Sequence, residues 1–294
     1  PFSGNIKLNN FLVANSEFSI PPERRGVGMV FQDYALFPHL DAWENICFGL
    51  RNKQNHDRAH WLLELLDISD FIHRYPHELS GGQQQRLALA RALAPGTSLV
   101  LLDEPFSNLD VEVRLKLRSE LPQILKSCNA SAIIVTHDPH EALAICDRVA
   151  VMKDGNLHQC SPPSQLVQEP STKFVAKFVL QRNLINVNVF ENTILTPLGS
   201  INKPKGIKAG IKYTLLVDED SIYIEKAHSG NSKILSREFY GNCWQLRIRC
   251  DDQIIRAVYN DYPVPSVGSK CNIRFIEEKW GLLIPGLIKC RLDL

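Results

Sequence analysis

Hydrophobic and polar residues follow two regimes along this chain. Up to about residue 180, short continuous apolar runs alternate with longer helix-like stretches. Ser98 to Leu102 and Ala132 to Val135 are runs of leucine and β-branched residues, the pattern of strands buried on both faces of a parallel sheet. Between them, Val111 to Lys126 reads as a helix. Pro122 inside it should kink or break it, because proline brings no N–H to the ladder. Strand, helix, strand predicts an α/β unit. Thr172 to Val179 reads as a further short helix beyond the Ser161-Pro162-Pro163 punctuation. From about Leu184 the period becomes two. Trp244, Leu246, Ile248 and Cys250 face one way, and Gln245, Arg247 and Arg249 the other. Asp251-Asp252 predicts a turn, with Gln253 to Tyr259 returning as the next strand. Tyr213 to Ile224 and Asn272 to Ile276 are also strand-like, so this half predicts a small β-barrel or sandwich.

Composition changes the picture only by exclusion. A chain of 294 residues suits about two domains. With 44% hydrophobic and 22% charged residues, it is not a disordered or collagen-like protein. Lys+Arg 33 against Asp+Glu 32 gives a formal net charge of +1, so charge makes no case for a nucleic-acid partner. No apolar run approaches the roughly 18 residues of a membrane helix. The eight cysteines are scattered without a C-x-x-C pair, which fits free thiols in a reducing cytosol rather than a disulfide framework or zinc site. The sequence opens on Pro1, and its only methionines are Met29 and Met152. The expectation is a sequence that lacks its true N-terminus.

Candidate chemistry sits at the ends of the apolar runs. Leu79-Ser80-Gly81-Gly82-Gln83-Gln84-Gln85-Arg86 precedes an Ala/Leu-rich helix. Ser80 is a good N-cap, and the two glycines let a ligand approach the backbone, making an anion site of the free N–H groups and the positive dipole end. Alone, this is also simply a capped helix. Leu101-Leu102-Asp103-Glu104-Pro105 ends a buried strand in adjacent carboxylates, which are costly to bury without a partner or metal. At the C-terminal end of a parallel strand they face the ligand crevice. Asp103 is suited to hold Mg²⁺ through water, and Glu104 to polarise a water nucleophile. Ile133-Ile134-Val135-Thr136-His137-Asp138 ends a second such strand in His137. Val30-Phe31-Gln32-Asp33-Tyr34 ends a strand-like run in a glutamine, which by itself carries little meaning.

In order and spacing these four segments resemble the ATP-binding subunits of ATP-binding-cassette (ABC) transporters, over about residues 1 to 180. Leu79 to Gln83 looks like the signature motif, Leu99 to Glu104 like the Walker B strand, and Ser107-Asn108-Leu109-Asp110 like the D-loop. His137 looks like the switch histidine and Gln32 like the Q-loop glutamine. Pro21-Pro22-Glu23-Arg24-Arg25 and Phe31 to Leu40 are similar to importers for ferric iron, polyamines, sulfate and maltose. Phe239-Tyr240-Gly241-Asn242 in its strand setting resembles their C-terminal β-rich regulatory extension. Ferric iron is the nearest branch.

The resemblance implies an α/β fold: a P-loop NTPase (ABC ATPase) domain over 1–180, missing its N-terminal part, then a small all-β, OB-like regulatory domain over 181–294. The implied function is ATP binding and hydrolysis that energises solute uptake. Glu104 would orient the water, His137 contact the γ-phosphate, and Gln32 sense Mg²⁺ and the membrane partner. Ser80, Gly81, Gly82, Gln83 and Asp110 would bind nucleotide across a head-to-tail dimer, and Asp103 with Gln32 would hold the metal. Implied cofactors are ATP and Mg²⁺. Implied partners are transmembrane permease subunits, a paired or identical ATPase subunit and, indirectly, a periplasmic or extracellular solute-binding protein. The implied location is the cytoplasmic face of the inner membrane. The family's phosphate loop, G-x-x-x-x-G-K-[ST], is absent from the 294 residues. That leaves a second reading, a non-hydrolysing regulatory or degenerate subunit, against which an intact Glu104 and His137 argue. A soluble ABC ATPase of repair or translation would carry tandem cassettes or a coiled-coil insertion, and neither is found.

Overall fold

The computed structural model describes residues 1–50, 56–180, 182–203, 208–209, 213–276 and 283–285. The chain divides into two compact units, Pro1–Ile145 and Cys146–Leu294. Sequence pattern places the change at 180 instead, and residue 181 lies outside the described residues. The reason is local. A hairpin of β6 (Val149–Lys153) and β7 (Asn156–Ser161) and the helices α6 (Pro163–Gln168) and α7 (Lys173–Leu180) group with the strands that follow them. Ala176 of α7, for example, packs against Leu184 and Leu216.

The first unit opens with a hairpin of β1 (Ile6–Leu8) and β2 (Phe11–Ala14). Its centre is a three-stranded parallel sheet in the order β3 (Val27–Val30), β4 (Leu99–Asp103), β5 (Ser131–Val135). Helices α1 (Ala42–Cys47), α2 (His56–Leu65), α3 (Gly81–Leu93) and α4 (Val111–Ser127) supply most of the core, with Ile46, Leu62, Leu87 and Leu93 fully buried. Helix α3 lies close on β3: a Cβ at Gly28 would stand 2.5 Å from the Ala92 carbonyl oxygen, so only glycine fits there. The last helix of the unit is α5 (Pro139–Ile145).

Two expectations need correction. Helix α4 runs unbroken through Pro122. Burial of Leu117, Leu121 and Ile124 on its inner face outweighs the lost hydrogen bond. The parallel strands are also not buried on both faces. Met29, Ile133 and Val135 are 39%, 55% and 57% exposed, because among the described residues no helix covers that side of the sheet.

In the second unit, strands β8 (Asn183–Val189), β9 (Thr193–Thr196), β10 (Gly199–Asn202), β11 (Tyr213–Val217), β12 (Ile222–Lys226), β13 (Ser232–Phe239), β14 (Trp244–Cys250), β15 (Gln253–Tyr259), β16 (Lys270–Phe275) and β17 (Leu283–Pro285) follow. They form two five-stranded sheets, β10-β9-β8-β11-β17 and β12-β16-β13-β14-β15. Both sheets contribute to one apolar core, in which Ile185, Leu215, Ile234, Ile248 and Ile255 are buried. The predicted β14–β15 hairpin is present, with Cys250 paired to Gln253 and Asp251 in the left-handed region at the turn. All seven described cysteines are free, and Cys290 lies outside the described residues. No described helix is long and apolar enough to cross a membrane.

Candidate functional site

Parallel register gathers three of the predicted residues at one edge of the central sheet. Val30 pairs with Leu102, and Asp103 with Val135. Gln32, Glu104 and His137 therefore each follow a strand's last paired residues at the carboxyl end, where open α/β sheets bind ligands. Glu104 sits in the left-handed region, φ +44°. A non-glycine residue held there costs about 1 kcal/mol or more and persists only where its surroundings fix it. Here the fixing bonds are visible. The Glu104 N–H donates to the Val135 carbonyl (2.8 Å), and its own carbonyl accepts from the Ser107 hydroxyl (3.0 Å). The strained turn aims the carboxylate at His137, whose Nδ1 lies 3.0 Å from Glu104 Oε1. The imidazole is itself largely exposed.

That hydrogen bond, followed by the charge of Glu104, holds the His137 pKa above its ordinary value; the charges of Glu141 and Asp138 add to the effect. His137 should accordingly titrate above the usual imidazole range of about 6.5 in a histidine NMR titration. Glu104→Gln should bring it down toward that value, since the anion favouring the imidazolium is gone. An unchanged midpoint in the variant would show that Glu104 does not govern His137.

The turn after β3 is held differently. Tyr34 and Ala35 both have positive φ, and Arg91 on α3 donates to both of their carbonyls (3.0 and 2.8 Å). The Arg91 guanidinium also lies 5.1 Å from the centre of the Phe37 ring. Asn45, fully buried on α1, accepts from the Phe37 N–H and donates to the carbonyls of Phe37, Leu40 and Asp41. The Asn108 amide donates to the Gln32 carbonyl (2.9 Å), tying the turn after β4 to the turn after β3. The side chains of Asp103 and Gln32 make no hydrogen bond or ion pair with any described residue, so their oxygens are free for a ligand.

Ser80 caps α3 in a reciprocal box: its hydroxyl accepts from the Gln83 N–H (3.4 Å), and the Gln83 side chain accepts from the Ser80 N–H (2.8 Å). At Gly81 an added Cβ would meet only ordinary contacts, the closest with Leu109 at 3.5 Å. At Gly82 it would stand 2.7 Å from Val113, so this glycine is required by the packing of α3 on α4 as well as being available to a ligand. Asp110 caps α4 through the Val113 N–H (3.0 Å). The structure thus joins Glu104 to His137 directly and Gln32 to the turn after β4 through Asn108. Ser80, Gln83 and Asp110 are engaged in their own helix caps.

The ABC transporter family model matches residues 1–107. The Fe(3+) ions import ATP-binding protein FbpC 2 of Haemophilus influenzae is 37% identical over 266 residues, 87% of this chain and 75% of that protein. The chain belongs to the ATP-binding subunits of ABC importers. The Fe(3+) ions import ATP-binding protein FbpC of Mesorhizobium japonicum is 33% identical over 98% of this chain and 81% of its own length. The spermidine/putrescine import ATP-binding protein PotA of Roseobacter denitrificans is 45% identical over 61% of this chain and 51% of its own. ATP binding and ATP hydrolysis coupled to transport are the activities of this family of subunits.

Sequence reasoning missed Arg91 and Asn45, and it named Asn108 only within the D-loop stretch, without its bond to the Gln32 carbonyl. Arg91 sits in the Ala/Leu-rich helix, where an arginine reads as solvated, and nothing local distinguishes a guanidinium that folds back onto a distant turn. Asn45 could have been found, since an asparagine within a short apolar helix is unfavourable unless its amide is satisfied.

Proposed function

We propose that this ABC subunit hydrolyses ATP at a site formed by the strand ends around Glu104 and His137, and that it energises uptake of ferric iron. The 3.0 Å contact between these two side chains is the observation that carries the catalytic part. Glu104 accepts a hydrogen bond from the attacking water and orients it, while His137 donates toward the γ-phosphate as negative charge develops there. Ser80, Gly81, Gly82 and Gln83 meet the nucleotide bound to a second ATPase subunit, identical or paired, with Asp110 beside them. No group of three or more His, Cys, Asp or Glu side chains among the described residues could hold a metal. A free carboxylate and a free amide oxygen instead fit an ion that arrives with the nucleotide, since Mg²⁺ uses one or two carboxylates plus phosphate and water oxygens. Asp103 and Gln32 would hold it, and it would neutralise charge on the phosphate oxygens.

Iron as the solute rests on the likeness to the Haemophilus and Mesorhizobium proteins, which spans both units. The 45% identity to the Roseobacter protein favours polyamine as the second reading. In either case the partners are transmembrane permease subunits, fed by a solute-binding protein outside the cytoplasmic membrane, and the subunit sits on the inner face. We expect the β-rich region, over 181–294, to regulate uptake. Uptake of labelled ferric iron and of spermidine by cells carrying or lacking this subunit decides between the solutes. Loss of iron uptake alone supports the proposal; loss of spermidine uptake alone overturns it.

A further inference from the structure

Glu141 is the one buried acidic side chain among the described residues, at 4% exposure, and no arginine, lysine or histidine among them forms an ion pair with it. A buried carboxylate without a counter-ion is costly, and α5, seven residues long, offers little dipole to offset it. What it does have is Thr136. The Thr136 hydroxyl donates to Glu141 Oε2 (2.6 Å) and accepts from the Asp138 N–H (3.0 Å). These bonds fall on the residues immediately before and after His137. Asp138 in turn caps the start of α5 through the His140 N–H (2.8 Å), and its carbonyl accepts from the Glu141 N–H (3.2 Å). On the other side, the Val135 carbonyl is held by the Glu104 N–H (2.8 Å). The main chain of His137 is thus clamped from both sides, while its side chain stands largely in solvent with Glu104 as its only hydrogen-bond partner among the described residues. An exposed imidazole cannot keep one orientation by its own packing. The clamp supplies that orientation.

We propose that Glu141, acting through the Thr136 hydroxyl, is the positioning residue that sets His137 against Glu104. The proposal rests on the reading of His137 as a group that meets the γ-phosphate, and its test separates the two. On the 294-residue chain, ring nitrogen and proton NMR signals of His137, assigned by their loss in His137→Gln, report the bond to Glu104. Glu141→Met fills the site with an unbranched apolar chain and removes the acceptor. It should leave the melting temperature unchanged or raised, and shift the His137 ring signals to those of an unpaired imidazole. Thr136→Val should do the same to the ring signals, and Thr136→Ser should restore them. Parent-like ring signals in folded Glu141→Met overturn the proposal, as does failure of that variant to fold, which would give Glu141 a structural role. In the subunit joined to a phosphate loop, Glu141→Met should lower kcat about tenfold with KM unchanged. If the ring signals shift but kcat does not, the positioning stands and the role of His137 in hydrolysis falls.

Discussion

Glu104→Gln is expected to lower steady-state ATP hydrolysis by roughly two to four orders of magnitude while leaving nucleotide binding intact. The measurement uses the subunit with a G-x-x-x-x-G-K-[ST] segment joined ahead of Pro1. Glutamine fills nearly the same volume, so the left-handed turn and its bonds to Val135 and Ser107 should survive. What disappears is the negative charge. An amide accepts a hydrogen bond from water more weakly than a carboxylate, and it no longer favours the imidazolium of His137. Both losses bear on the transition state and neither on ground-state binding, so kcat should fall and KM should not. A rate within about twofold of the parent would remove Glu104 from the mechanism.

The second large effect is expected at Phe37, where aspartate should abolish transport without unfolding the subunit. Phe37 is half-buried, its ring 4.2 Å from that of Phe48, which is itself 63% exposed. This partly exposed aromatic pair is suited to an apolar helix of a membrane subunit. Losing an aromatic anchor at the centre of such a contact costs about 2 kcal/mol or more, roughly a thirtyfold loss of affinity, and a buried carboxylate adds to it. Circular dichroism and ATP turnover of the isolated subunit should stay near parental values while uptake by the assembled importer is lost. Unfolding of the Phe37→Asp variant would instead identify Phe37 as core.

Much of this site is legible in the sequence because its elements are local. Apolar runs that stop abruptly at Asp103-Glu104 and Thr136-His137 mark strand ends, and parallel pairing brings such ends together whatever lies between them. Ser80 and Gln83 form a capping box readable over four residues. The parts that escaped are those that depend on distant neighbours. The left-handed conformation of Glu104 is imposed by Val135 and Ser107, not by any preference of glutamate. Pro122 looks like a helix breaker until the burial of Leu117, Leu121 and Ile124 around it is known. Ile133 and Val135 have the composition of a two-sided buried strand, and only the arrangement of the surrounding elements reveals that one face is open. Arg91 illustrates the same limit: its partners, Tyr34 and Ala35, lie 57 and 56 residues away in sequence.

The central claim is that the residues from Gln32 to His137 face a nucleotide whose phosphates are gripped by a glycine-rich loop. That loop supplies a lysine, a run of backbone donors and a hydroxyl, and no segment of the 294 residues has that pattern. Charge-assisted hydrogen bonds are worth roughly 1.5–3 kcal/mol each, so several together change affinity by many orders of magnitude. The most direct test is calorimetry with Mg-ATP, with turnover measured in parallel. It compares the 294-residue chain with the same chain joined to a relative's phosphate-loop segment. The account predicts binding and hydrolysis in the joined protein and neither in the 294-residue chain; micromolar binding with turnover by the 294-residue chain would contradict it.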